Sequence, residues 1–209
     1  KDDIIKMVEA EANNNVNATL EFGDIGLSLF ESFPDFTLTV EDIVVTGNAP
    51  FDGVKLADIK ALKLSLDLMS VINGDKIQIN SVGLETPHLH VIVLADGTAN
   101  YDIAKQSEES EPETEEAVES DGAGFSIGLS EYFIRNAEII YDDRSGGMYA
   151  HLENFTHEGS GDFTQDDFLL ETHTDADGVT FKMDGVPYLN HTKLDMKFDM
   201  NMNMPNMHF

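Results

Sequence analysis

Residues 54–103 read VKLADIKALKLSLDLMSVINGDKIQINSVGLETPHLHVIVLADGTANYDI, and this stretch carries the pattern that most of the chain repeats. Apolar residues alternate with polar ones, which on an extended backbone places all the apolar side chains on one face of a strand. Turns are predicted at Asn73–Asp75 and Asp96–Gly97. The segment therefore predicts an antiparallel meander with one apolar face, formed by Leu62, Leu64, Leu66, Leu68, Ile77, Ile79, Leu89, Val91 and Val93.

The composition excludes several classes of function. The 209 residues include 12 Lys+Arg and 40 Asp+Glu, for a formal net charge of -28. Such a balance argues against binding nucleic acid and against docking on anionic headgroups through a basic surface. The chain has no cysteine, which excludes disulfides and thiolate metal sites. No apolar run approaches the roughly 20 residues that span a bilayer.

The regular alternation is interrupted in several strands. It changes phase at Gly23-Asp24, between Val40 and Ile43, and between Ile79 and Val82. A phase change beside glycine or within a strand is typical of a β-bulge, so these positions predict bends and strong twist. Helical spacing of apolar residues predicts a short amphipathic helix over residues 1–13, and a turn of helix is expected around residues 68–72.

An acidic segment divides the chain. Residues 106–124, QSEESEPETEEAVESDGAG, contain eight acids and no basic residue, which is typical of a disordered linker or a long connection between strands. We therefore predict three regions: residues 1–105 with the helix and the meander, the linker 106–124, and a second β module over residues 125–209. The hairpin-like segments on the two sides of the linker also resemble each other in length and order.

The second module ends in the most regular alternation of the sequence. Asp175–Gly178 predicts a hairpin turn before it. The last strand places on one face Leu194, Met196, Phe198, Met200, Met202 and Met204. Because the chain begins at Lys1 and still reads as a strand at its end, we expect it to be a piece of a longer protein, truncated in this module.

These patterns predict a mainly β fold with few helices. A one-sided sheet must bury its apolar face against a second sheet, a helix layer, a partner or a ligand. The predicted helices cannot cover so many strands, so two architectures remain. One is a β-sandwich, and the other, which we favour, is a curved and twisted antiparallel sheet forming an open groove or partial barrel.

The residue types that support catalysis or metal binding are present without a convincing arrangement. We find no GxSxG, HExxH or phosphate-binding glycine loop, and we expect no enzymatic activity, no catalytic residue and no cofactor. Methionines at 200–207 with His208 are compatible with Cu(I), but Leu194 and Phe198 share their parity and favour an apolar face. His88 and His90 lack two further zinc ligands, and Asp175–Gly178 lacks the glutamate of a calcium loop. No metal site is therefore predicted.

The motifs of the first module resemble those of the AsmA family. The similarity rests on Leu64-Ser65-Leu66, then the element Leu68 to Gly74, then Ile77 to Val91 with its internal proline, and finally Asp96-Gly97-Thr98-Ala99-Asn100-Tyr101. After the linker, FIRNAEIIYDDRSGGMYAHLENF is similar to the second segment of that family. The resemblance covers nearly the whole chain, and its motifs are structural rather than catalytic.

The resemblance implies a periplasmic segment of a Gram-negative envelope protein, tethered to the inner membrane by an anchor that this sequence lacks and involved in outer-membrane biogenesis. The implied ligand is lipid, with phospholipid-like acyl chains along the apolar β-groove formed by the residues named above. The alternative is a structural or protein-binding β module with a sealed core and an acidic partner-binding surface. The sequence identifies no protein partner.

Overall fold

A single open sheet dominates the computed structural model, which describes residues 13–73, 77–104 and 125–203. In this part of the chain nine strands and one short helix are present. The helix α1 spans Leu68–Asn73. The strands are β1 (Ala18–Glu21), β2 (Asp24–Ser28), β3 (Phe36–Gly47), β4 (Lys55–Leu66), β5 (Ile77–Val93), β6 (Phe125–Asp143), β7 (Met148–Ser160), β8 (Asp167–Met183) and β9 (Val186–Asn203).

The sheet order follows the chain order, and the sheet does not close. β1 and β2 both pair with β3 and together form one edge, while β9 forms the other edge. The prediction of a mainly β fold with an open sheet is confirmed. The predicted helix over residues 1–13 and the acidic linker at 106–124 lie outside the described residues, apart from a helical end at residues 13–15.

One strand pair departs from the predicted antiparallel arrangement. β5 and β6 are parallel, with Val82 beside Tyr132 and Leu84 beside Ile134. A parallel pair cannot be joined by a hairpin, because the chain must return to the other end of the sheet. The long connection between Val93 and Phe125 provides this return, and the strands before and after it form one continuous sheet.

A line of left-handed residues crosses the sheet from β3 to β9. Positive φ angles occur at Asp42 (52°), Thr86 (47°), Asn136 (54°), Asn154 (47°) and His191 (49°). The pairs on either side of each position align these residues across the sheet. The line also includes the residues next to them on the intervening strands, since Lys60 pairs with Asp42 at 2.6 Å and the amide of Asn154 donates to Asp177 at 2.8 Å.

This left-handed line explains the phase changes in the sequence. A left-handed residue within a strand reverses the side on which odd and even positions lie. In β3 the apolar positions change from Leu38 and Val40 to Ile43 and Val45 across Asp42, without a shift in the pairing with β4 there. The β-bulge predicted between Val40 and Ile43 is therefore wrong, although the phase change itself is real. At Gly23 the edge strand is interrupted between β1 and β2, again in unchanged register with β3.

The phase change predicted within β5 is a true bulge. The register between β4 and β5 shifts between Ser65 and Leu66, and the register between β5 and β6 shifts between Ile79 and Ser81. The second shift leaves extra residues in β6, between Ile127 and Glu131, whereas the first leaves the extra residue of β5 at Asn80. Its side chain amide donates to Asp35 at 2.8 Å, outside the strand ladders. This prediction is confirmed.

The turn predicted at Asp175–Gly178 is wrong. These residues lie inside β8, where they meet the left-handed line, and the chain turns between β8 and β9 at Asp184-Gly185 instead. Both residues there have positive φ angles, of 50° and 76°, as a two-residue hairpin turn requires. The dipeptide Asp-Gly therefore occurs both within β8, at Asp177-Gly178, and in the turn after it, at Asp184-Gly185.

The AsmA-like motifs have structural roles. Gly97, at φ 88°, forms the tight turn after β5, where its amide donates to Leu94. Asn100, only 3% exposed, accepts from the Ile92 amide at 2.8 Å and donates to the His90 carbonyl at 2.7 Å. His90 and Ile92 lie beyond the last residue of β5 that pairs with β4. The side chain of Asn100 therefore bonds to backbone groups that a neighbouring strand would otherwise satisfy. Pro87 follows the left-handed Thr86 and pairs with Ile59 of β4.

Replacing Asn136 by valine should lower the free energy of unfolding by about 1–2 kcal/mol, because a β-branched residue is disfavoured in the left-handed region. Asn136 is exposed, so little packing changes. Asn136→Gly is the matched control and should cause no such loss, since glycine adopts positive φ freely. Chemical denaturation followed by circular dichroism measures both variants. Equal stability of the two variants would contradict a left-handed conformation at this position.

Candidate functional site

A mainly apolar face runs across the sheet on one side of the left-handed line. Residues that pair across neighbouring strands lie on the same face of a sheet. Two series of such pairs can be followed from β2 to β9. The first joins Leu27, Leu38, Leu64, Val82, Tyr132, Gly159, Thr172 and Phe198, and the second joins Ile25, Val40, Leu62, Leu84, Ile134, His157, Thr174 and Met196.

The apolar face continues beyond the left-handed line. Phe155 pairs with Ala137, which lies after the line in β6, and its ring stacks on His157, which pairs with Ile134 before the line. The apolar positions on both sides of the line therefore share one side of the sheet. Beyond the line this face includes Val45, Ala57, Leu89, Ile139, Leu152 and Val179, and further on Val91, Tyr141, Ala150 and Phe181.

The apolar face is not sealed. Within the described residues no second sheet and no layer of helices covers it, and most of its leucines are half-buried. Exposure is greatest toward the two edges, where Leu27 is 71% exposed, Met196 48% and Phe198 52%. An exposed apolar surface of this extent indicates a site for an apolar ligand or partner.

The opposite face is polar and acidic. Before the left-handed line it presents Glu41, Glu85, Glu131 and Glu158. Lys63 and Arg135 both form ion pairs with Glu85, at 4.0 and 3.7 Å. Arg135 donates to Glu158 at 2.6 Å, and this hydrogen bond, with the neighbouring glutamates, raises the pKa of Arg135. Water solvates this polar face, and the repulsion between its acidic side chains discourages association through it.

A phenylalanine is buried on the polar face. Phe133 is 8% exposed, and its ring lies over its cross-strand partner Gly83, where a Cβ atom would overlap it. The guanidinium of Arg135 covers the other side of the ring, 4.0 Å from its centre. This packing fixes the parallel pair of β5 and β6.

Most of the predicted site residues lie on the apolar face. The structure places there Leu62, Leu64, Leu66, Ile79, Leu89, Val91, Val93, Leu194, Met196, Phe198, Met200 and Met202. Leu66 and Val93 are 7% exposed and belong to the small buried part of the sheet. The β4 residues and the β9 residues lie at distant strands of the same face, joined by β5 to β8.

The remaining three predicted residues are Leu68, Ile77 and Met204. Leu68 is not part of the strand, because β4 ends at Leu66 and Leu68 begins α1, where the hydroxyl and amide of Ser70 bond to Asp67. Ile77 begins β5, but its side chain is not among the described parts of the structure. Met204 lies outside the described residues.

The prediction missed the middle of the face. Tyr132, Ile134 and His157 on β6 and β7 join the leucines to the methionines. Val82 and Leu84 were visible as alternating residues but changed parity at the Asn80 bulge. The apolar pattern of the sequence could not assign three polar residues to this face, namely His157, Thr172 and Thr174. Only the pairing of the strands shows that they lie there.

Polar groups interrupt the face at β6 to β8. The Tyr132 hydroxyl lies 3.3 Å from His157 Nε2, and His157 Nδ1 lies 2.7 Å from the hydroxyl of Thr174. Thr174 is 7% exposed. Phe163, in the loop between β7 and β8, packs edge-on against Tyr132 with ring centres 6.1 Å apart. We call Tyr132, His157 and Thr174 the polar stripe.

The residues considered for metals are distributed over both faces. His88 and His90 line a shallow cavity of about 550 Å³ on the polar side, with Asp58 and Glu138. The described residues contain no group of three or more His, Asp or Glu side chains placed to hold a metal ion. Met196, Met200 and Met202 share the apolar face with Leu194 and Phe198, and His208 lies outside the description.

Comparison with known proteins gives one match. The model of the AsmA family matches residues 1–196 of this chain. No curated protein and no solved structure matches it. Among the helices of the described residues, none has the length and apolar character needed to cross a bilayer.

Proposed function

Since this chain belongs to the AsmA family, we propose that it is a non-enzymatic lipid-handling segment whose apolar face holds phospholipid-like acyl chains. Membership of the family is consistent with a role at the cell envelope in outer-membrane biogenesis. In the full-length protein we place this segment in the periplasm, tethered to the inner membrane by an anchor outside this sequence. Lipid would be carried along the sheet without any covalent step.

The observation that carries the proposal is the continuity of the apolar face. Eight consecutive neighbours from β2 to β9 contribute to it, and the inter-strand spacing of about 4.8 Å gives it a width of about 34 Å. The acyl chains of one leaflet extend about 15 Å, half of the roughly 30 Å hydrocarbon core. The face is thus large enough for whole acyl chains.

The energetics favour an apolar ligand. Burial of apolar area contributes about 25 cal/mol per Å², so half-exposed leucines, methionines and phenylalanines gain from any apolar cover. Flexible methionine side chains such as Met196 and Met200 adapt to acyl chains of varied shape. The acidic opposite face keeps such an open sheet in solution.

The alternative, a structural or protein-binding module with a sealed core, fits the sheet less well. A sealed core requires a second layer over the apolar face, whereas Phe198 and Leu27 are more than half exposed. A protein partner on the acidic surface would leave the apolar face without a role.

Native mass spectrometry of the purified 209-residue chain tests the proposal. We expect adducts with phospholipid masses, and organic extraction of the same sample should release phospholipid in roughly stoichiometric amount. A chain that carries no lipid after purification, and that acquires none when incubated with phospholipid vesicles, would contradict the proposal and favour the protein-binding alternative.

A further inference from the structure

The polar stripe of Tyr132, His157 and Thr174 lies in the middle of the apolar face. Resting on the function proposed above, we infer that the stripe is a recognition site for the ester carbonyl groups of a glycerolipid. The acyl chains would then lie on the apolar residues beside it. A polar chain of this kind serves no purpose in a surface that contacts only hydrocarbon, because each polar group there must lose its water.

The site is built by the local packing. Gly159 is the direct partner of Tyr132, and a Cβ atom at residue 159 would overlap the tyrosine ring. The absence of a side chain lets the ring of Tyr132 lie across β7, where its centre is 5.6 Å from that of His157. Phe155 stacks on His157 at 6.4 Å and Phe163 contacts Tyr132, so the stripe is held between aromatic rings.

The hydrogen bonds determine which ligand group the stripe can accept. A neutral histidine donates through one ring nitrogen and accepts through the other. If Nδ1 carried the hydrogen, it would donate to Thr174, and the nearly buried Thr174 hydroxyl hydrogen would have no acceptor among the described residues. A buried donor without a partner is costly. With Nε2 protonated, Thr174 donates to Nδ1, Nε2 donates to the Tyr132 oxygen, and the phenol hydrogen remains free.

The stripe thus offers one hydrogen-bond donor to the ligand. Its complement is an oxygen acceptor such as an ester carbonyl. A phosphate is a poorer complement, because it needs a cation nearby. In the strand segments on this side of the left-handed line, the described basic residues Lys63, Arg135 and Lys197 all lie on the opposite face.

The position of the stripe suits an acyl ester. From Tyr132 on β6 to Leu27 on β2 the apolar face crosses four inter-strand spacings, about 19 Å. This distance exceeds the about 15 Å occupied by the chains of one leaflet. An acyl chain can therefore lie on the leucines of β2 to β5 while its carbonyl meets the Tyr132 hydroxyl.

A competition between two phospholipids tests the inference. The purified chain is incubated with an equimolar mixture of an ester-linked phospholipid and its ether-linked analogue, which has the same headgroup and chain lengths but no carbonyl oxygens. Native mass spectrometry gives the ratio of the two bound lipids. Because a neutral hydrogen bond contributes modestly, we expect the ester lipid to be preferred about threefold to tenfold.

Two tyrosine variants locate the preference. Tyr132→Phe keeps the ring and removes the donor, so the bound ratio should fall to about one. Tyr149→Phe makes the same change on the polar face of β7, where Tyr149 pairs with Asp142, and should keep the wild-type preference.

The outcomes separate this inference from the proposed function. Equal binding of the two lipids by the wild-type chain would overturn the carbonyl site and leave the lipid-handling function intact. A preference that survives in Tyr132→Phe, or that is lost equally in Tyr149→Phe, would also overturn it. Failure to bind either lipid would overturn both the inference and the proposed function.

Discussion

Replacing Phe133 by alanine should lower the free energy of unfolding by about 3 kcal/mol, the low end of the range for a buried phenylalanine. The ring is 8% exposed, and it fills the space over Gly83 across the parallel β5–β6 pair. Its loss also removes the cation–π contact with Arg135. Urea denaturation followed by circular dichroism measures the change. Phe198→Ala is the matched control and should cost far less, because that ring is 52% exposed.

A double-mutant cycle tests the physical cause. Gly83→Ala alone should also destabilise the chain, since the added Cβ atom overlaps the Phe133 ring. In the double variant the new methyl group occupies space vacated by the ring, so the combined loss should be smaller than the sum of the two single losses. Additive losses would show that Phe133 does not lie over Gly83 in solution.

The strands and their apolar positions were predictable because alternation is a local property of the sequence. The residues of β4 from Leu62 to Leu66 and those of β9 from Leu194 to Met202 lie on the apolar face as their spacing indicates. The alternation of β4 continues through Leu68, but the sequence also predicted a turn of helix around residues 68–72, and the helix α1 over Leu68–Asn73 confirms that prediction. The helix α1 is set by the side chain of Asp67, which accepts from the Ser70 amide at 2.6 Å.

The pairing between strands was harder to predict from the sequence. A parallel β5–β6 pair depends on where a 31-residue connection returns, which no local pattern specifies. The left-handed line was visible only as phase changes in separate strands, and its continuity arises from the register that joins Asp42, Thr86 and Asn136. The polar stripe depends on the same register, because His157 and Thr174 come together only through the pairing of β7 with β8.

The difference between the two faces of β9 provides the sharpest test of lipid binding. Met200 lies on the apolar face as the partner of Leu170, and the adjacent Asn201 lies on the polar face as the partner of Leu169. Both side chains are exposed, so an aspartate at either position should leave the fold intact. Each substitution adds the same single negative charge, and the two sites differ only in the face that receives it.

Met200→Asp should reduce the retained phospholipid at least about tenfold, because a carboxylate against an acyl chain must give up its hydration. Asn201→Asp should retain the wild-type amount, and Met200→Leu should retain it as well, since an apolar side chain is kept. Quantitative mass spectrometry of extracted lipid, normalised to protein, measures all three variants. Equal lipid loss in the two aspartate variants would mean that net charge controls retention, and equal retention would mean that the acyl chains do not contact the β9 end of the apolar face. Because both variants sit one residue apart on the same exposed strand, a difference between them can only arise from the face of the sheet that the lipid occupies.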